Sequence, residues 1–175
     1  MSPRRSRTVR AHDVDVRIRR PVLQGVLCLL TLGVWGAVHH YRLTRDVARF
    51  GRARGAMPFA FTPVAAGGST LGWVLGLIAW YILVFAAIAY GVSLADGYEP
   101  APDDVTAFAS LVLLMAPLWL VASHSIERIR TVQHMAGVDG SYPSPARGAL
   151  LTSLFPPLGS WHAQRQLNRA WQEYR

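Results

Sequence analysis

Histidine and cysteine are the residue types in this sequence that could hold a metal ion or a haem group. The chain contains six histidines and one cysteine, Cys28. His39 and His40 are adjacent, so on a helix their rings point about 100° apart and do not share one ion as an i, i+4 pair does. His40 and His124 are the pair that could meet between facing helices and ligate a haem. The lone cysteine excludes an internal disulfide and a four-thiolate zinc site. We expect interfacial histidines, no metal site and no cofactor.

Catalytic groups of a membrane enzyme would lie in the apolar segments, because an ionisable residue inside a membrane is costly and usually functional. Residues 71–94 form an uncharged run, and residues 105–123 form a second one. Thr106 and Ser110 are polar but lie near one end of the second run. No pair of carboxylates and no Ser/His arrangement occurs in the middle of either run. The sequence therefore predicts no catalytic residue, and we expect no enzyme activity.

The composition is that of a membrane protein. Hydrophobic residues make up 51% of the 175 residues and charged residues 16%, against roughly 25% charged residues in soluble domains. This apolar content excludes a disordered polycation and argues against a soluble nucleic-acid binder. The sequence predicts an all-α fold, an integral membrane helical bundle with a single membrane domain over residues 21–175.

Two segments are predicted to be full transmembrane helices. About 20 apolar residues cross the hydrocarbon core of a bilayer, and residues 71–94 and 105–123 both meet this requirement. Two other apolar stretches, residues 21–41 and 148–161, are predicted to be short, broken or re-entrant helices. The residues predicted to break them are Gly33, Gly36, Pro156 and Pro157.

Arginine distribution predicts the orientation, since arginine near membrane ends marks the cytoplasmic side. All 18 basic residues are arginine; residues 1–20 carry seven of them and residues 42–70 carry five. The loop 95–104 carries four acidic residues and no arginine, so it is predicted to face outward. Both termini are then cytoplasmic in a cell (inner) membrane, with the two broken segments re-entering. Four full spans remain the alternative.

Two amphipathic helices are predicted to follow the broken segments, over residues 42–54 and 162–175. Leu43, Val47 and Phe50 share one face of the first helix, and arginines occupy the opposite face. Both helices are predicted to lie at the membrane interface, with their arginines towards lipid phosphates or cytosol. The basic tail 1–20 is predicted to set topology and attach to anionic lipid, and not to bind nucleic acid. The side chains predicted to contact lipid phosphates are Arg42, Arg45, Arg49, Arg165 and Arg169.

Gly72 and Gly76 have the small-residue spacing that lets two helices approach closely. The spacing fits packing against the second span of the same chain. It also fits a contact with a second copy or with a membrane partner protein, and nothing in the sequence separates these alternatives.

The chain resembles a bacterial membrane family, the domain of unknown function 4234, in two regions. The resemblance covers residues 19–50 and, more loosely, residues 145–172. It is carried by Arg20-Pro21, Thr31-Leu32-Gly33-Val34-Trp35-Gly36, Tyr41-Arg42, and a closing Gln166-Leu167-Asn168 with Trp171. His39-His40 stands where the family usually has an aromatic pair. The resemblance implies an integral membrane protein and implies no activity.

The sequence thus favours a small multi-pass bacterial membrane protein that acts as a non-catalytic scaffold or subunit, binding anionic lipid and a membrane partner. One alternative is an oligomeric transporter or permeation component whose cavity is lined by the broken segments. A second alternative is a haem or metal protein that uses His40 and His124.

Overall fold

The computed structural model describes residues 7–11, 14–55, 63–138 and 143–173. These residues are mostly helical. The elements are β1 (Arg7–Ala11), β2 (Val14–Ile18), α1 (Pro21–Leu30), α2 (Val34–Ala53), α3 (Pro63–Ala95), α4 (Pro102–Leu114), α5 (Ala116–Met135), α6 (Pro145–Leu154) and α7 (Pro156–Gln172). Residues 1–6 of the predicted basic tail, and residues 174–175 of the predicted last helix, lie outside the described residues.

A β-hairpin occupies part of the region that the sequence analysis treated as a tail. β1 and β2 pair antiparallel, with Val9 opposite Val16. Ala11 and Val16 are buried against the helices. The alternation of apolar and charged residues in β2, VDVRI, is the period-2 signal of a strand with one buried face, and that signal was missed.

Two long apolar helical stretches dominate the fold. Gly68–Ala95, within α3, and Pro102–Met135, which comprises α4 and α5, are long and apolar enough to cross a membrane. An 18-residue segment of each has a mean hydropathy of 2.3 and 2.2, respectively. The predicted spans 71–94 and 105–123 lie inside them. α3 and α5 pack together, whereas no residue of α4 is buried. We call the α4-side end of this pair the loop end and the opposite end the core end.

The first apolar stretch, residues 21–41, forms a half-length helical hairpin: its first arm, α1, has 10 residues, about half of what a membrane-spanning helix needs. Pro21 stands in the first turn of α1, where its missing N–H costs no hydrogen bond. The chain then turns at Thr31–Gly33, where Leu32 and Gly33 have positive φ, and α2 runs back along α1. Arg19, before α1, therefore pairs with Asp46 in the middle of α2. Both ends of this N-terminal hairpin lie at the core end of the structure.

The position of the first break corrects one of the predicted residues. Gly33 lies in the break, but Gly36 lies inside α2. A Cβ atom at Gly36 would overlap the ring of Trp73, so this glycine permits α2 and α3 to approach closely. The predicted amphipathic helix 42–54 is correspondingly the continuation of a longer helix that starts at Val34.

The last apolar stretch forms a second half-length hairpin. α6 ends at Leu154, Phe155 is extended, and Pro156 and Pro157 occupy the first positions of α7. The proline pair therefore ends one helix and begins the next, as its missing N–H groups require. α7 runs back along α6, with Gly159 against Thr152. The predicted helix 162–175 is the continuation of α7.

The apolar faces of α2 and α7 pack inside the protein. The core they form with α5 is completely or almost completely buried, and the rings of Phe50 and Trp171 meet edge to face at 5.2 Å. The sequence analysis placed these faces at the membrane interface. Instead they cover each other, and the members of this core are Leu43, Val47, Ala48, Phe50, Ile126, Ile129, Val132, Ala163, Leu167, Ala170 and Trp171.

Candidate functional site

The two helix breaks meet the middle of α3, where three aromatic side chains donate hydrogen bonds to their carbonyl groups. Tyr81 Oη donates to the Leu32 carbonyl at 2.8 Å, and Trp73 Nε1 donates to the Gly33 carbonyl at 3.1 Å. Trp80 Nε1 donates to the Ser153 carbonyl at 2.8 Å. The bonds to Leu32 and Ser153 supply donors that the breaks remove, and in apolar surroundings such a replacement is required. The Gly33 carbonyl also accepts from the Gly36 N–H at 2.8 Å, so Trp73 is its second donor.

The acceptor at the second break shows why this replacement is needed. In a continuous helix the Ser153 carbonyl would accept from the N–H of residue 157. That residue is Pro157, which has no N–H. Trp80 supplies the missing donor from another helix. Sequence reasoning located the proline pair but did not identify Trp80, because the contact joins residues 73 positions apart.

A cavity of about 210 Å³ lies where the two breaks face α3. Its lining is apolar and aromatic, and none of the described side chains that line it is charged. It includes Cys28, Leu32, Leu77, Tyr81, Phe155 and Pro156. The transport alternative calls for polar groups at the breaks, and this lining does not supply them.

The five predicted arginines lie on the outer faces of α2 and α7. Arg42, Arg49, Arg165 and Arg169 are exposed, and the side chain of Arg45 is 42% exposed. Their positions follow from helical periodicity, because the opposite faces of α2 and α7 are in the core.

Two of these arginines rest on tryptophans that lie towards the helix breaks. The Arg42 guanidinium lies 5.2 Å from the Trp35 ring centroid, and the Arg165 guanidinium lies 5.4 Å from that of Trp161. Such cation–π contacts orient a guanidinium while leaving its N–H groups available. Each hairpin therefore presents an arginine stacked on a tryptophan.

A buried polar network joins α1, α2 and α7 beneath this arginine surface. Arg19 Nη2 lies 2.6 Å from Asp46 Oδ2, and the two side chains are 11% and 10% exposed. Asn168 Nδ2 donates to the Arg19 carbonyl at 2.6 Å, and Gln164 Nε2 donates to Asn168 Oδ1 at 2.8 Å. The network fixes the base of both hairpins. Sequence reasoning assigned Asp46 no role.

His40 is buried, which corrects the expectation of an interfacial histidine; His39, its neighbour, is buried as well. His40 Nδ1 forms a hydrogen bond with Ser125 Oγ at 3.2 Å, and its ring stacks on Trp73. Burial, together with the charge of Arg128, lowers the pKa of His40 to about 4. His40 is therefore neutral at pH 7.

His124 does not share this environment. Its side chain is 60% exposed and its Nδ1 lies 3.8 Å from Glu127 Oε2. The two histidines named for a haem thus face a buried serine and the protein surface, respectively. Within the described part of the chain, no three His, Cys, Asp or Glu side chains are grouped so that they could hold a metal ion.

The two glycines of the predicted packing motif make a contact within the chain. A Cβ atom at Gly72 would meet Val121, and one at Gly76 would meet Leu118. Both partners lie on α5. The small-residue spacing therefore brings α3 and α5 together, which is one of the two alternatives that the sequence left open.

The carbonyl bonds at the breaks predict the effect of a single hydroxyl deletion. Tyr81→Phe removes the donor to the Leu32 carbonyl but keeps the ring. The bond is not buried within the protein, so we expect a loss of about 0.5–1.5 kcal/mol in the free energy of unfolding. Thermal or denaturant unfolding of the purified protein measures it. Tyr41→Phe, at an exposed tyrosine, is the matched control; equal stabilities for both variants would contradict the role of Tyr81.

The depressed pKa of His40 predicts acid sensitivity. Histidine in the unfolded chain has a pKa of about 6.5, so between pH 6.5 and 4 the unfolded state binds a proton that folded His40 does not. The contribution of neutral His40 to the free energy of unfolding is complete above pH 6.5. It falls by about 3 kcal/mol as the pH is lowered towards 4. His40→Gln should make that decline less steep, whereas His124→Gln should not; burial also lowers the pKa of His39, so part of the decline remains in the His40 variant. A decline of the same slope in all three proteins would show that His40 does not cause it.

Comparison with protein-family models, curated proteins and solved structures finds no match to this chain. The resemblance to the domain of unknown function 4234 stays a prediction carried by its residues alone. The function is accordingly argued from geometry.

Proposed function

We propose that the chain is an integral protein of the bacterial inner membrane and serves as a non-catalytic scaffold that binds anionic lipid and a membrane partner. In this proposal α3 and α4–α5 cross the bilayer, while the α1–α2 and α6–α7 hairpins enter from the cytoplasmic side and return. The termini and the α2–α5–α7 core are then cytoplasmic.

The observation that carries the proposal is the depth at which the hairpins end. Trp80 and Tyr81, which bind the two breaks, lie at the midpoint of the apolar stretch Gly68–Ala95. That stretch is about 42 Å long at 1.5 Å per residue, enough for the ~30 Å hydrocarbon core. Half-length hairpins that end at this level reach the middle of a bilayer and keep their arginine-bearing ends on one side.

The lipid-binding part of the proposal is supported by the arrangement of the arginines. Four of the five are exposed on outer helix faces whose inner faces are already covered by protein. Their charge therefore points away from the core, at the level where the hairpins leave the apolar region. Each cation near an anionic leaflet contributes about 1 kcal/mol to attachment.

The partner-binding part is supported by the loop end of the structure. There α3 and α4 expose large apolar side chains that the described residues do not cover. These side chains face lipid or another membrane helix; they include Ile82, Phe85, Ile88, Val92 and Val105.

Single-cysteine labelling in cells tests the topology. In a Cys28→Ser background, Glu99→Cys should react with a membrane-impermeant thiol reagent in intact cells. Arg17→Cys, Ser144→Cys and Gln172→Cys, all at exposed positions, should react only after permeabilisation. Labelling of Arg17→Cys and Gln172→Cys from outside would instead mean that all four apolar segments cross the membrane.

Lipid titration tests the arginine surface. Removing two cations by Arg165→Gln/Arg169→Gln should weaken binding of short-chain phosphatidylglycerol about 10- to 30-fold, at about 1 kcal/mol per cation. Native mass spectrometry of the detergent-solubilised protein counts the bound lipid.

The control keeps the charge. Arg165→Lys/Arg169→Lys should bind phosphatidylglycerol within a few-fold of the unmodified protein, and phosphatidylcholine should bind weakly to all three. Undiminished phosphatidylglycerol binding by the glutamine variant would remove these arginines from the proposal.

A further inference from the structure

The two ends of the helical bundle have different widths. On the core-end side of the α3 midpoint, segments of α1, α2, α3, α5, α6 and α7 pack side by side. Phe85 still lines a cavity with the tips of both hairpins; beyond it, on the loop-end side, the described residues contribute α3 and α4 only. The level of this change is fixed by the two helix breaks, which contact α3 between Trp73 and Tyr81.

The narrow end is a defined helix pair. The ring of Tyr90 on α3 meets that of Phe108 on α4 at 5.0 Å, and it also meets Tyr98 in the connecting loop at 6.2 Å. Tyr98 Oη donates to Asp104 Oδ2 at 3.0 Å, which ties the loop to the start of α4. The described contacts thus hold two helices together at this end.

The difference in width is large on the scale of lipids. A helix with its side chains is about 10 Å across, so each contributes about 80 Å² of cross-section. Segments of six helices occupy about 500 Å² and two occupy about 160 Å². One half of the bundle therefore has about three times the cross-sectional area of the other.

We propose that this shape acts as a wedge, so that the protein prefers, and at high density produces, membrane whose cytoplasmic leaflet is convex. The inference rests on the insertion topology proposed above. A protein that takes more area from one leaflet than from the other leaves a mismatch that a flat bilayer must absorb by deforming. Bending towards the cytoplasm relieves the mismatch, because it expands the leaflet that contains the wide half.

Orientation in vesicles of two sizes tests the wedge. The Cys28→Ser protein carrying Ser144→Cys, at the wide end, or Glu99→Cys, at the narrow end, is reconstituted into phosphatidylcholine vesicles. This neutral lipid keeps arginine–lipid attraction from choosing the leaflet. Labelling by an impermeant thiol reagent before and after detergent lysis gives the fraction of molecules with each end outside, in sonicated small vesicles and in extruded large ones.

The outer leaflet of a small vesicle is strongly convex, so the wide end should face outward there. We expect Ser144→Cys to be labelled in nearly all molecules of small vesicles and in about half of those in large vesicles. Glu99→Cys should be labelled in few molecules of small vesicles and in about half of those in large vesicles. Outward fractions independent of vesicle size would overturn the wedge.

Two matched double variants separate the membrane-embedded shape from the bulk of the core outside the membrane. Val22→Trp/Leu150→Trp adds volume to exposed positions of the wide half, and Ile88→Trp/Val105→Trp adds it to exposed positions of the narrow half. The first should strengthen the size dependence and the second should weaken it. If neither changes it, the mass outside the bilayer sets the orientation and the inference is wrong.

The same labels distinguish failure of the wedge from failure of the topology. In any single preparation, the outward fractions of Ser144→Cys and Glu99→Cys add up to all molecules if the two ends lie on opposite sides. Outward fractions of the two labels that add up to more or less than all molecules would mean that the two ends lie on the same side, which would contradict the topology itself. If the two ends lie on opposite sides but their outward fractions do not depend on vesicle size, only the wedge is contradicted.

Discussion

Hydrogen bonds from α3 to the carbonyl groups of the two helix breaks hold both hairpins against the bundle. A helix that ends in an apolar layer leaves carbonyl groups without partners, and each costs several kcal/mol there. Tyr81 and Trp80 donate to the Leu32 and Ser153 carbonyls, and Trp73 adds a second donor to the Gly33 carbonyl. They also fix the level at which the hairpins stop, because the breaks must lie within reach of their donors.

One aromatic side chain links the breaks to the polar interior. Trp73 donates to the first break, fits against Gly36 of α2, and stacks on His40. His40 in turn bonds to Ser125 of α5. A change at any of these positions is therefore felt by α2, α3 and α5 together, since a close-packed interior does not absorb displaced volume locally.

Features encoded in a short stretch of residues could be predicted from sequence, and features that need the assembled fold could not. The apolar length of residues 71–94, the turn at Gly33 and the interruption at Pro156-Pro157 each follow from local chemistry, and the structure has all three. The donors for the broken helices and the burial of the histidines depend on contacts between distant residues. The apolar faces of α2 and α7 were predicted correctly, but periodicity does not say whether lipid or protein covers them.

The Arg19–Asp46 pair and the helix break require each other. The two residues are 27 positions apart, which in one continuous helix means a separation of about 40 Å. Their 2.6 Å contact is possible only if the chain reverses near the middle, and the turn at Thr31–Gly33 is that reversal. Burying such a pair is itself costly unless further hydrogen bonds accompany it, and Asn168 of α7 contributes one to the Arg19 backbone. The second hairpin thus stabilises the base of the first, while α3 stabilises its tip, and neither hairpin is explained by its own residues alone.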